Sequence, residues 1–349
     1  MWMQNQLYRQ DVETCLEYAR GLEELRGLSI MIVGASGALG SFLVDALFQS
    51  NKLYGLDIKV QAVGRSMKRL RNSFAYLKKD GAFELIEHDV MNPFPSSRDC
   101  DLIVHLASNA YPEAIYEDPV GTIRANTEGA YNLLDFLRRS NGKRIVYVST
   151  GEIYGQAIEG IDEFKEDYMG NVDLLSPRSC YPLSKRCAEN LCISYGQQFG
   201  LETVIARPCH TYGPVFTAKD NRANVQFISS AARGEDIVMK SRGTQVRSYS
   251  YVADTISGLL TVMAIGRNGE AYNLASEKGI TSIAGLAETV ASAGGVRVDY
   301  QLRGNDQPSP FNRAVLSSEK LQSLGWRPAF SLEEGVSHSI DILKWKLNL

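Results

Sequence analysis

Apolar residues in this chain of 349 fall into short unbroken runs, each followed by a stretch with helical spacing. Leu28 to Val33, Lys59 to Val63, Phe83 to Val90, Leu102 to Ala107, Arg144 to Val148 and Leu201 to Ala206 read as strands buried on both faces. Between them, Phe42, Leu43, Ala46 and Leu47, the basic segment Met67 to Lys79, and Pro119 to Arg139 have helical spacing. Such alternation predicts an α/β fold with a doubly wound parallel sheet. Ahead of it, Val12, Cys15, Leu16, Ala19, Leu22 and Leu25 share one face of a helix over residues 11–25, interrupted by Gly21 and expected to pack on its own domain. Beyond residue 206 the alternation lapses: a helix is expected over Val225 to Ala232 and a strand over Ser248 to Val252.

The first strand runs into Gly34-Ala35-Ser36-Gly37-Ala38-Leu39-Gly40 and then into a helix. Strand, glycine turn and helix together make a dinucleotide site: the glycines let backbone approach a pyrophosphate held at the helix N-terminus. The sheet is therefore expected to be Rossmann-type. At the end of the second strand the acid that usually holds a free ribose hydroxyl is absent, and Arg65 stands there, a residue suited to a 2′-phosphate. Arg65 therefore tilts the expected cofactor toward NADP, the alternative being a solvated residue at the start of the basic helix Met67 to Lys79. Asp89, before Val90, is placed either to accept from the adenine amino group or to shape the turn before Asn92-Pro93. Ala107 and Ser108-Asn109 are small enough to lie beside the cofactor. His105, inside an apolar run, reads as a satisfied core histidine.

The fifth strand delivers Ser149-Thr150 at its C-terminal end, where parallel sheets bind ligands, and Tyr181-Pro182-Leu183-Ser184-Lys185 opens a helix. A tyrosine and lysine four apart with an upstream hydroxyl form a hydride-transfer constellation. Tyr181 is expected as the base, with Lys185, close to it and to the nicotinamide, favouring its phenolate and Thr150 orienting the substrate hydroxyl; the alternative is a surface tyrosine–lysine pair on a helix. The residue before a proline avoids helical geometry, so Tyr181 is expected at the N-cap and Pro182 at the first helical position. Arg222, Arg247 and Arg313 occupy loop-like settings suited to an anionic ligand.

Composition narrows the alternatives. Hydrophobic content of 44% and charged content of 22% are those of a globular protein, and a net charge of -3 gives no case for nucleic acid or an anionic membrane. No apolar stretch is long enough to span a bilayer, and the N-terminus lacks the order of a secretory signal. Six cysteines without a C-x-x-C and four histidines form no metal-ligand pattern, pointing to a reduced, cytoplasmic protein with no metal.

From about Ser29 onward the chain resembles the extended short-chain dehydrogenase/reductases of the NAD-dependent nucleotide-sugar epimerase/dehydratase group. The resemblance rests on the Gly34-Gly37-Gly40 turn, Ser149-Thr150 with Ile153-Tyr154-Gly155, the Tyr181/Lys185 pair, Arg207 to Pro214, Gln245 to Asp254, Tyr272-Asn273-Leu274 and Leu324 to Pro328. It implies oxidation of a sugar C4 hydroxyl by tightly bound NAD+, with Thr150, Tyr181 and Lys185 catalytic and Arg247 and Arg313 gripping the diphosphate. His210, Arg222, Asn224, Ser108 and Asn109 are the further expected sugar-nucleotide contacts. His210 replaces an asparagine common in the group. A homodimer through helices near residues 119–139 and 181–197 is also implied.

Glu152 resembles the acid of decarboxylases and dehydratases, as a base at C5, as a guide for a carboxylate, or as a polar residue near the pocket. Dehydratases carry an aspartate where this chain has Gly151. UDP-glucuronate decarboxylases also resemble Gly170-Asn171-Val172 and Pro177-Arg178-Ser179-Cys180-Tyr181. The expected reaction is decarboxylation or dehydration of a 4-keto sugar; epimerisation, an NADPH-dependent keto-sugar reduction and a non-catalytic nucleotide-binding module are the alternatives. The expected domains are a helical extension at 1–27, a dinucleotide-binding domain at 28–206 with 244–272, and a nucleotide-sugar domain at 207–243 with 273–349.

Overall fold

The computed structural model describes residues 2–77, 80–95, 98–108, 110–140, 142–217, 220–302 and 312–348. Along the chain come α1 (Gln6–Tyr18), β1 (Ser29–Val33), α2 (Ala38–Tyr54), β2 (Lys59–Gly64), α3 (Met67–Phe74), β3 (Phe83–Glu87), β4 (Leu102–His105), α4 (Pro112–Glu117), α5 (Pro119–Arg139), β5 (Arg144–Val148), α6 (Cys180–Phe199), β6 (Glu202–Pro208) and β7 (His210–Tyr212). They are followed by α7 (Ala223–Ala232), β8 (Ile237–Met239), β9 (Val246–Tyr251), α8 (Val252–Ile265), β10 (Ala271–Leu274), β11 (Ile280–Ser282), α9 (Ile283–Gly294), β12 (Val298–Tyr300), β13 (Arg313–Ala314), α10 (Glu319–Gln322) and α11 (Leu332–Leu347).

Seven strands form one parallel sheet in the order β10-β6-β5-β4-β1-β2-β3. This is the doubly wound Rossmann arrangement, reversing direction between β1 and β4. Both faces are covered at the centre, so the central strands are apolar: Ile30 and Ile32 join the core that holds α2 and α8, while Met31 and Val33 join the one that holds α5 and α6. Beside this sheet, β7, β9, β11 and β13 make a second one, β8 pairs with β12, and α7, α9 and α11 pack together. The stretch 244–272, assigned whole to the dinucleotide-binding domain from sequence, is divided here. Its strand β9 belongs to the second sheet, while α8 packs against α2 and the first, because antiparallel pairing with β11 and parallel pairing with β7 draw β9 away.

The N-terminal helix forms, but earlier than its spacing suggests. α1 ends at Tyr18, and Gly21, at φ +73°, turns the chain where a side chain would press on Ile265. Tyr8, Val12, Cys15 and Leu16 of α1 are buried against the core, and α1 packs on α2, α8 and α11. The Tyr8 hydroxyl donates to Asp45 Oδ2 at 2.8 Å, and Tyr76 also donates to this carboxylate.

Burial pushes Asp45 up to about 6 even though both phenols pull it down. A carboxyl with a raised folded pKa stabilises the fold below its unfolded pKa and loses that contribution as pH rises through the folded value. The unfolding free-energy advantage of the wild type over Asp45→Asn is therefore expected to shrink by up to about 3 kcal/mol between about pH 4 and pH 7. Denaturant titrations of both proteins at the two pH values measure it; a constant difference would remove Asp45 from the pH response.

Candidate active site

The site lies at the C-terminal edge of the parallel sheet, built from the segments leaving β1, β4, β5 and β6. Gly34 leaves β1 at φ +90°, and a Cβ there would stand 2.8 Å from the Ala107 amide nitrogen. A Cβ on Gly40 would come within 2.4 Å of the Gly34 carbonyl oxygen, so α2 approaches the turn as closely as it does only with glycine. Gly37 caps α2 with extended geometry, and a Cβ on it would meet only the Gly34 carbonyl. The turn from Ser36 through Ala38 and Leu39 thus presents the first-turn N–H groups of α2, the donors a pyrophosphate takes.

The other expected cofactor residues take up varied roles. Arg65 is exposed at the end of β2. Asp89 shapes the turn after β3 by accepting from Met91 N at 3.1 Å, and buried Val90 gives its carbonyl to Asn132 Nδ2 at 2.8 Å. β3 and β4 end at Glu87 and His105, shorter than their apolar runs, because these turns begin there. Ala107 packs its backbone against Gly34. Ser108 starts a relay: its hydroxyl donates to Asn126 Oδ1 (2.8 Å), Asn126 Nδ2 to Ser184 Oγ (2.9 Å), and Ser184 to the Tyr181 carbonyl (3.0 Å). Buried Asn126 therefore ties β4, α5 and α6 together beneath the site. Asn109 lies outside the described residues.

Thr150 caps the short 3-10 turn Gly151–Tyr154, accepting from Glu152 N at 3.2 Å, and its side chain lowers the pKa of the Tyr181 phenol. α6 begins at Cys180 with Ser179 as N-cap, so Tyr181 is inside the helix and Pro182 is its third residue. That corrects the expected cap position. A proline there costs no hydrogen bond, since the first four N–H groups of a helix have no internal acceptor, and the preceding turn Pro177–Ser179 leads the chain straight into α6.

Lys185 is buried and donates from Nζ to the Val148 carbonyl at 2.8 Å. Among the influences on Tyr181, burial and the Glu152 charge raise its pKa, while Thr150, Arg222 and Arg178 lower it. Arg222 and Arg178 are thus charges of the chain itself that favour the phenolate. Burial lowers Lys185 to about 7.

Glu152 is held by Arg178, Nη2 to Oε2 at 2.7 Å, in a half-exposed ion pair. Its charge also reaches Arg222 and Arg247. Arg222, at the N-cap of α7, is bound by Asp220 at 2.6 Å, and Asn224 Nδ2 donates to the Thr211 carbonyl at 3.0 Å. Arg247 is buried on β9, and Arg313, on the neighbouring β13, donates to the Asp162 carbonyl at 2.6 Å. His210 stays neutral: burial, then Arg247 and Arg222, lower it to about 3. The structure thus gathers Thr150, Glu152, Tyr181, Arg222, Arg247 and His210 into one electrostatic neighbourhood. It adds Arg178, which the sequence quotes only within a motif and which its position three residues before Tyr181 could have flagged.

The model of the NAD dependent epimerase/dehydratase family matches residues 30–275. The chain belongs to that family. Among its relatives, UDP-glucuronic acid decarboxylase 3 of Arabidopsis thaliana is 35% identical over 322 residues, covering 92% of this chain and 91% of the relative. UDP-glucuronic acid decarboxylase 1 of Xenopus tropicalis is 32% identical over 91% of this chain and 72% of its own length. Of the solved structures, dTDP-glucose 4,6-dehydratase DesIV of Streptomyces venezuelae, with NAD and TYD bound, has a TM-score of 0.78 at 22% identity and covers 92% of this chain and 98% of that one. WbmF of Bordetella bronchiseptica, in complex with NAD+, has a TM-score of 0.73 at 25% identity, with 93% and 94% covered.

The chain is an NAD-dependent enzyme of this family, and its glycine turn fits the cofactor's pyrophosphate by the close approaches just described. Among the described residues no group of three or more His, Cys, Asp or Glu side chains is placed to hold a metal, and no helix is long and apolar enough to cross a membrane.

Proposed function

We propose that the enzyme decarboxylates a UDP-hexuronate, UDP-glucuronate first among them, after oxidation at C4. The observation that carries this reading is the pair of neighbours at the tip of β5. Gly151 has no acid to offer a leaving hydroxyl, and a Cβ there would already stand 2.8 Å from Leu316 Cδ2, so the position is closed to an aspartate unless Leu316 moves. Glu152, beside it, is tied up by Arg178. Dehydration needs a proton donor at C6; loss of carbon dioxide from a β-keto acid does not. The identity to UDP-glucuronic acid decarboxylases over most of the chain supports the same choice.

NAD, when bound by the turn at Gly34–Gly40 and by Lys185, supplies the hydride acceptor for C4 and the donor that later restores it. The chain's residues do the rest. Tyr181 takes the C4 hydroxyl proton while Thr150 holds that hydroxyl in line. Arg247 and Arg313 bind the diphosphate, His210 and Asn224 border the sugar nucleotide, and Arg222 with Arg178 offsets the uronate carboxylate. When the C5–C6 bond breaks, the ring carries an enolate and carbon dioxide departs; Glu152 orders the water or side chain that returns a proton to C5. Free cysteines at all six positions support a reduced cytoplasmic setting, and exposed Val120, Ile123 and Tyr131 on α5 with Ile193 and Phe199 on α6 support a homodimer.

Incubation of the purified enzyme with UDP-glucuronate in D2O, followed by mass spectrometry, is expected to show loss of carbon dioxide and one deuterium gained at C5. Glu152→Gln is expected to slow this about a hundredfold, with KM changed less than kcat. A product of unchanged formula would make the enzyme an epimerase, and loss of water a dehydratase.

A further inference from the structure

Lys185 is a fully buried ammonium whose hydrogen bond to Val148 is to a neutral carbonyl, with the Tyr147 ring 4.9 Å below Nζ. A neutral acceptor and a ring face leave most of a buried charge uncompensated. One turn further along α6, on the same face, stands Glu189, also buried. Its carboxylate is gripped at both oxygens by Arg207 of β6, Nε to Oε1 at 3.0 Å and Nη2 to Oε2 at 2.7 Å. Arg207 is itself pinned by the Tyr154 hydroxyl and the Glu166 carbonyl, so it cannot swing aside.

We propose that Glu189 is the counter-charge that keeps Lys185 an ammonium, and that Arg207, by sharing that carboxylate, sets how much of it Lys185 feels. Glu189 is then a positioning residue, acting on the reaction only through the lysine; the inference rests on Lys185 working in the site as described above. The remaining groups around Lys185 are consistent with this. His105 on β4 is buried, stays neutral to about 3, and so adds no charge; Tyr147 on β5 and Cys192 and Tyr181 on α6 are raised by burial and stay protonated. Glu189 is the nearby carboxylate whose charge favours the ammonium.

The test reads Lys185 directly, by NMR of the full-length protein labelled with 15N-lysine, its Nζ signal assigned by its loss in Lys185→Met. Glu189→Gln is expected to move the titration of Lys185 down by about one pH unit or more, and Arg207→Met to move it up. The pair Glu189→Gln/Arg207→Met is expected to fall between them. It also serves where the single Glu189→Gln, which strands a buried arginine, fails to fold, because comparison with Arg207→Met still isolates the carboxylate. Equal titration in Arg207→Met and in the pair, or shifts of the same sign in both single variants, would overturn the proposal. The alkaline limb of kcat against pH is expected to follow the NMR shifts. An NMR shift without a rate shift would leave the counter-charge standing and remove Lys185 from the proposed mechanism.

Discussion

Tyr181→Phe is expected to lower kcat about a thousandfold or more while leaving the melting temperature and the amount of NAD retained on purification unchanged. The ring packs with Ile115 and Cys180 in a small cluster of its own, and phenylalanine fills the same volume, so the substitution removes one oxygen and nothing else of substance. That oxygen feels Thr150, Arg222 and Arg178 favouring loss of its proton against burial and the Glu152 charge. The balance suits a group that becomes a base only when further positive charge arrives beside it, as an oxidised nicotinamide would bring. Single-turnover absorbance of reduced nicotinamide separates the outcomes. Loss of that signal with bound sugar present places Tyr181 in the oxidation step; full signal with impaired release would make it a binding residue.

The sheet was legible because its central strands are buried on both faces and so carry runs of apolar residues with no competing pattern; β5 matches its run at both ends. α5 was legible for a different reason. Asp118 caps it through Gly121 N, Pro119 opens it, and Arg138 and Arg139 close it, so the local signals and the tertiary need agree. Where backbone from far along the chain decides, the sequence says less. Lys185 meets a carbonyl thirty-seven residues away, and β9 is drawn into the second sheet by β7 and β11. His105 is the buried core residue its run suggests, but among the described residues neither ring nitrogen has a hydrogen-bond partner, so it is not the satisfied one expected. Arg178 and Asn126 went unassigned since each acts through another side chain, Glu152 in one case and Ser108 with Ser184 in the other.

Removal of residues 1–27 is expected to leave a chain that does not fold at physiological temperature, although the family match begins only at residue 30. Tyr8, Val12, Cys15 and Leu16 of α1 are each no more than 2% exposed. Burying a large apolar side chain is worth about 1.5–3 kcal/mol, so the set approaches the roughly 5–15 kcal/mol of net stability available to a whole domain, as an upper estimate. Buried polar partners are lost as well. Asp11 takes the Tyr251 hydroxyl at 2.6 Å and His338 Nδ1 at 2.7 Å, and the Arg20 amide donates to Thr261 at 3.0 Å. Circular dichroism of the 28–349 chain is expected to show a melting temperature lower by about 15 °C or more, or no cooperative transition. A shift of a few degrees would make the extension a detachable arm. The larger loss follows from where its contacts fall: Tyr251 ends β9, the strand that carries Arg247, so the helix that precedes the nucleotide fold braces the sheet on which the proposed diphosphate contact Arg247 stands.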